Sequence, residues 1–287
     1  MPRTLRYVHI DVFTDTPLTG NQLAVFTDAR ELDAATMQAL AQEIGFSETT
    51  FVTRAKDSSY DVRIFTPVEE LPFAGHPTLG TAFVLAAEGR VTPSVTQICG
   101  AGEIPVRVDV AAGRAEMRQL PPAFGAEVTD REAVAAAARL SPGDLVGDLP
   151  ILPVSVGIWH VMVPVAGDDA LRRAVRDQRG CHDLLTGIDA EALYLFAVRG
   201  PADVRARMFD RDAEIGEDPA TGSAAGPLGA YLSAHGLGGM PGRVTIAQGE
   251  QAGRPSFLEV DVRPDGDGWA LRVAGGVRIV GEGRFRI

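Results

Sequence analysis

Two short segments hold the residues best suited to chemistry. The first is Phe73-Ala74-Gly75-His76-Pro77-Thr78, the second Glu217-Asp218-Pro219-Ala220-Thr221-Gly222-Ser223. Each leads into a stretch without charge, Leu79 to Ala87 and Ala224 to Ala234. A helix begun at either segment turns its free first N–H groups, and the positive end of its dipole, towards whatever lies before it. Gly75 and Gly222 let an anion come close to the backbone. A carboxylate or phosphate could be held there with no Arg or Lys nearby. Ordinary capping by Ser, Thr and Asp is the alternative for either segment taken alone. Two equivalent segments, each opening an uncharged helix, shift the balance towards a site.

Glu48 is the next candidate. It stands in Phe46-Ser47-Glu48-Thr49, at the start of an apolar and β-branched strand. A carboxyl partly withdrawn from water has a raised pKa and suits proton transfer near neutral pH; a solvent-facing glutamate is the commoner fate. Glu69-Glu70 is a rival acid pair, but its place before Leu71-Pro72 reads as a solvated turn.

Other chemistries lack their residues. His9, His76, His160, His182 and His235 have no metal-ligand spacing, and Cys181-His182 is adjacent rather than spaced for one ion, so no metal is expected. Cys99 and Cys181 read as small buried apolar side chains, and His160, beside Trp159 on an apolar strand, as a core or rim residue. No GxGxxG follows a strand; Gly236 to Gly242 is glycine-rich but follows a helix and reads as a turn. There is no GxSxG elbow and no P-loop. Of the 27 basic residues only Lys56 is a lysine, in the turn-like run Ala55 to Ser59, where nothing would activate its amine. No nicotinamide, flavin, pyridoxal phosphate or other cofactor is expected.

The elements that must position these residues follow from periodicity. Tyr7 to Phe13 alternates as a strand, Leu23 to Phe26 is another, and Asp33 caps a helix whose stripe is Met37, Leu40, Ala41 and Ile44, stopped at Gly45. Phe46 to Val52 and Asp61 to Thr66 read as strands. The uncharged helix after Pro77 must be buried on all sides, so strands must wrap it. Pro121-Pro122 opens a linker. Thr129-Asp130-Arg131-Glu132 reads as a capping box for a helix to about Leu140. Strands are expected within Ile151 to Val165, over Ala192 to Val198 and over Val204 to Phe209, with a charged helix from about Asp168 to Arg176. A shift of 147 places Gly75 on Gly222, Leu85 on Leu232 and Gly89 on Gly236, which suggests a duplicated unit.

Size and composition agree. The 287 residues correspond to about two domains at ~150 residues each. With 45% hydrophobic and 23% charged residues the chain is globular. A net charge of −11 opposes binding to nucleic acid or anionic membrane. No apolar run is long enough for a transmembrane helix and none marks a signal peptide, so a cytoplasmic protein is expected.

The motifs in combination resemble the PhzF-like proteins of phenazine biosynthesis, relatives of diaminopimelate epimerase. The matching segments are Val12-Phe13-Thr14, Pro17-Leu18-Thr19-Gly20-Asn21, Gly45-Phe46-Ser47-Glu48-Thr49, Phe65-Thr66-Pro67, Leu71 to Thr78, Glu217 to Ala224, Gly275-Gly276-Val277 and Gly281-Glu282-Gly283. The resemblance implies an α+β fold of two pseudo-symmetric halves, each a β-barrel-like sheet around a central buried helix. Residues 1–120, joined by the last strand 276–287, would form one half and 121–275 the other, with the active site in the cleft between them. It implies cofactor-free isomerase chemistry and a homodimer. Glu48 would shuttle a proton, His76 and Asp218 would assist or hold substrate, and Gly75, Gly222 and Ser223 would bind a small carboxylic acid. The epimerase branch uses one cysteine in each loop. Ala74-Gly75-His76 and Asp218-Pro219-Ala220 contain none, which excludes two-thiol epimerisation here. An amino-acid racemase or epimerase working by other groups, and a non-catalytic acid-binding protein, remain as competing readings.

Overall fold

The computed structural model describes residues 3–287, and the chain divides into two compact units, Met1–Arg118 with Ala274–Ile287, and Gln119–Val273. In the first unit the order is β1 (Thr4–Val12), β2 (Asn21–Phe26), α1 (Ala34–Ile44), β3 (Glu48–Lys56), β4 (Ser59–Phe65), the short β5 (Glu70–Leu71), α2 (Gly75–Ala87), β6 (Ser94–Cys99), β7 (Gly102–Asp109) and β8 (Arg114–Arg118). Strands β2 and β3 pair parallel, as do β4 and β6; β1 with β2, β3 with β4, β6 with β7 and β7 with β8 pair antiparallel. The long final strand β17 (Gly268–Arg286) pairs with both β1 and β8. The ladder β1-β2-β3-β4-β6-β7-β8-β17 therefore returns on itself as a closed mixed sheet. Inside runs α2, in contact with β1, β2, β3, β6, β7 and β8 and buried from Gly75 to Leu85. Helix α1 covers the outer face, where Met37, Leu40 and Ala41 pack on Phe26, Phe51 and Phe65.

The second unit contains β9 (Ala123–Phe124), α3 (Arg131–Ala137), β10 (Leu152–Ser155), β11 (Trp159–Pro164), α4 (Asp168–Arg173), α5 (Gln178–Gly187), β12 (Ala192–Gly200), β13 (Asp203–Asp210), β14 (Glu217–Asp218), α6 (Gly222–Ala234), β15 (Arg243–Gln248) and β16 (Ser256–Asp265). Pairing runs β9–β10–β11–β12–β13–β15–β16, parallel at β11–β12 and β13–β15. Alternation sorts the side chains of this sheet. Val161, Val163, Leu193, Leu195 and Phe209 join α3, α4 and α5 in one apolar core. The alternate residues face the other way, where α6 lies buried from Gly222 to Ser233 and Phe196 meets Tyr231 edge-on.

Several expectations are corrected. The helix expected to run to Arg176 stops at Arg173, because Ala174 turns extended and the Arg176 side chain instead reaches the carbonyls of Asp210 and Arg211. A second helix, α5, follows under an Asp177 cap. The helix expected between Thr129 and Leu140 spans only Arg131–Ala137, and its cap is Asp130, which accepts from Ala133 N, rather than Thr129. Lys56 ends strand β3 and is exposed, with the turn at Asp57-Ser58. Cys181 is buried as expected, but Cys99 is only half-buried at the end of β6.

Candidate active site

In the first unit the site begins at a parallel strand pair. Leu23 of β2 is the partner of Glu48, the first residue of β3. Glu48 shares its side of β3 with Thr50, two residues on. Thr50 accepts a hydrogen bond from Thr81 of α2, so this side of the strand faces that helix. The Glu48 carboxyl, 17% exposed, comes to 3.5 Å from Nε2 of His76, the second residue of α2. Nε2 also lies 3.2 Å from the carbonyl of Gln22. A carbonyl only accepts, so that nitrogen carries the proton. Burial pushes the His76 pKa down to about 3, so the ring is neutral at physiological pH. Glu48 and His76 are therefore a carboxyl beside a neutral imidazole and not an ion pair.

In the second unit Asp218 of β14 pairs with Met208 of β13, while its neighbour Glu217 points the other way and is held by Arg207 through two bonds of 2.8 and 2.7 Å. The Asp218 carboxylate accepts from Thr221 Oγ1 at 2.6 Å. Its carbonyl accepts from Gln248 Nε2 at 2.8 Å, and Gln248 Oε1 accepts from Tyr194 OH and from Thr221 N. These bonds fix the loop that starts α6. Ser223, 8% exposed, places Oγ 3.1 Å from Nε2 of His160, which is itself 1% exposed.

Capping by side chains, the plain alternative for both segments, is absent. Helices α1, α3 and α5 each begin at an aspartate whose carboxylate accepts a backbone N–H. Helix α2 begins at Ala74 and α6 at Thr221, and neither has a side-chain cap; the short α4, begun at Gly167, is likewise uncapped. In α6 the third and fourth amides, of Ala224 and Ala225, return to Thr221 O, and those of Gly222 and Ser223 have no hydrogen-bond partner among the described residues. Each long central helix thus presents a pair of glycine-led N–H groups, Gly75-His76 and Gly222-Ser223.

Of the residues singled out in the sequence, Glu48, Gly75 and His76 meet in the first unit, and Asp218, Gly222 and Ser223 around the start of α6 in the second. Glu70 instead forms an ion pair with Arg63. Three residues carry no motif and emerge only in three dimensions: Gln248, His160 and Asp210. Asp210 ends β13 on the same side as Met208 and Asp218, two positions along from the Met208–Asp218 pair. It is 2% exposed, and one carboxyl oxygen accepts from Asp212 N. Burial, reinforced by the charges of Glu191, Asp212 and Asp218, raises its pKa to about 7. Among the described residues no group of three or more His, Cys, Asp or Glu gathers as metal ligands would, and no helix is long and apolar enough to cross a membrane.

The chain is similar to known proteins along nearly its whole length. A family model described as phenazine biosynthesis-like protein matches residues 10–283. The chain is 35% identical over 288 residues to an uncharacterized isomerase of Deinococcus radiodurans, covering 97% of this chain and 94% of that protein. It is 37% identical over 286 residues to trans-2,3-dihydro-3-hydroxyanthranilate isomerase of Pseudomonas aeruginosa, covering 97% and 98%. The crystal structure of a PhzF-family phenazine biosynthesis protein of Bacillus anthracis superposes with a TM-score of 0.90 at 28% identity, covering 99% of this chain and 100% of that one.

Proposed function

The chain belongs to the phenazine biosynthesis-like family and is an isomerase, and we propose that its reaction is a cofactor-independent proton transfer within a small carboxylic acid. The observation that carries this reading is Glu48, a largely buried carboxyl 3.5 Å from an imidazole that stays neutral. A carboxyl in that setting can take a C–H proton and return it at another carbon on the same face of a flat substrate. His76 orients or polarises the substrate without adding charge. The free amides of Gly222 and Ser223 suit a carboxylate, and Asp218 suits an amine or hydroxyl through a charge-assisted bond.

A second reading is racemisation or epimerisation, which needs an acid–base group on each face of the carbon. Incubation with candidate acids in deuterated water, followed by NMR, separates the two. Deuterium entering at a new carbon with a shifted double bond is the expected result. Deuterium entering at an inverted stereocentre would establish the second reading, and no exchange with any acid would sink both.

A further inference from the structure

We propose that His160 is a positioning residue of the reaction: it turns the Ser223 hydroxyl so that its proton points away from the imidazole and towards the ligand carboxylate at the start of α6. This rests on the reading above, in which that helix start holds a carboxylate. His160 and Ser223 are 63 residues apart in the chain, and their side chains meet at 3.1 Å with both residues buried. Burial also pushes the His160 pKa down to about 4, so the ring holds a single N–H at physiological pH.

Where that proton sits decides what Ser223 offers. The other ring nitrogen, Nδ1, is buried with no hydrogen-bond partner among the described residues. A proton on Nδ1 would orphan a buried donor; a proton on Nε2 leaves only a lone pair unmatched, the better-tolerated omission by analogy with backbone groups. With the proton on Nε2, His160 donates to Ser223 Oγ, and the single hydroxyl proton must point elsewhere. It then joins the Gly222 and Ser223 amides as a third donor, a set that fits an anion. The opposite tautomer would make Ser223 present lone pairs to a carboxylate. The same geometry argues against a nucleophilic serine. Nε2 already carries its proton, and no carboxylate holds Nδ1, so the ring has neither the free nitrogen nor the orienting partner that a base needs.

The test uses the intact chain labelled with 15N, with benzoate as the carboxylate probe and benzamide as its neutral counterpart. In the free protein the His160 ring should show a protonated Nε2 and an unprotonated Nδ1. Benzoate, and not benzamide, should shift the Gly222 and Ser223 amide signals. His160→Phe and Ser223→Ala should each weaken benzoate binding about tenfold, the scale of one hydrogen bond to a charged group. The double variant should lose no more than either single change, because both remove the same bond. His160→Gln, which keeps an N–H donor, should restore most of the affinity, and in turnover His160→Phe should raise KM more than it lowers kcat. A proton on Nδ1, or losses that add in the double variant, would overturn the role of His160 while leaving the carboxylate site standing. Benzoate that leaves both amide signals unmoved would overturn the carboxylate site and His160's role with it. The tautomer is read on the unaltered protein, so a variant that fails to fold leaves the question answerable.

Discussion

A carboxyl 3.5 Å from an imidazole behaves differently when the imidazole stays neutral, and here burial holds His76 neutral down to about pH 3. His76 then adds no fixed positive charge that would pin Glu48 in its ionised form, as the proposed proton cycle on this carboxyl requires. Glu48→Gln keeps the shape and loses the cycle, so kcat should fall by ~10²–10⁴ with KM little changed; steady-state kinetics on the deuterium-exchanging substrate would show it. Asp210 makes a second residue-scale claim. Its folded pKa of about 7 lies above the ordinary value of 3.8. Between those two values the folded chain keeps a proton that the unfolded chain has released, so stability falls as pH rises through that window and is flat below it. Asp210→Asn cannot ionise and should remove that slope. Urea unfolding should find the variant more stable than the parent at pH 8, by about 2–4 kcal/mol, and little different at pH 3. A variant no more stable at pH 8 would mean that folding does not raise the Asp210 pKa. Sequence could not show Asp210, because Asp210-Arg211-Asp212 looks like a solvated charged turn. Only strand register turns Asp210 to the side that carries Asp218, while Arg211 pairs with Glu191. Glu48, His76, Asp218 and Ser223 could be named as candidates because they sit in motifs; His160, 63 residues from Ser223, could not.

At the scale of elements, the uncharged helices were the most legible feature, since a helix with no polar face has no stable place but an interior. Both run 13 residues, Gly75–Ala87 and Gly222–Ala234, and both are buried along nearly their whole length. What sequence did not reveal is how near the strands come. A methyl group added at Gly229 would lie 2.7 Å from Val260 Cγ1 and 2.9 Å from Val262 Cγ2, on two stiff β-branched side chains of β16. The glycine is there for close helix–sheet packing. Its φ is not among the positive values, so backbone freedom is not the reason. Gly229→Val would gain a few tenths of a kcal/mol in helix propensity and lose about 1–3 kcal/mol to overpacking. A net drop in melting temperature of several degrees is expected by calorimetry, and an unchanged or higher value would show that β16 can move away. Helix ends were less legible than helix existence. Arg176 reads as the last residue of a charged helix, yet its guanidinium is taken up by the carbonyls of Asp210 and Arg211, which ends the helix at Arg173.

The whole molecule is organised by its last strand. β17 leaves the second unit at Val273 and then pairs along the entire length of β1, from Val12 with Val277 to Thr4 with Arg286. Arg3 and Ile287 exchange backbone hydrogen bonds at 2.6 and 2.9 Å, so the two ends of the described chain are neighbours in one ladder. The sequence hinted at this through the motif Gly275-Gly276-Val277, but pairing across more than 260 residues leaves no local signal. Two consequences are opposite in sign. Removing residues 276–287 takes away one ladder partner of β1 and opens the closed sheet around α2, exposing strand edges beside apolar surface. That truncated chain should collect in the insoluble fraction on expression. Joining the ends with a short flexible linker, and opening the chain between Gly147 and Asp148 in an exposed loop, keeps every strand pair and costs only the small entropy of a rearranged loop. The permuted protein should be soluble, show the parent's far-UV circular dichroism, and retain the parent's isomerase activity within a few-fold. A permutant that fails to fold while the truncated chain remains soluble would show that β17 follows the fold rather than closing it.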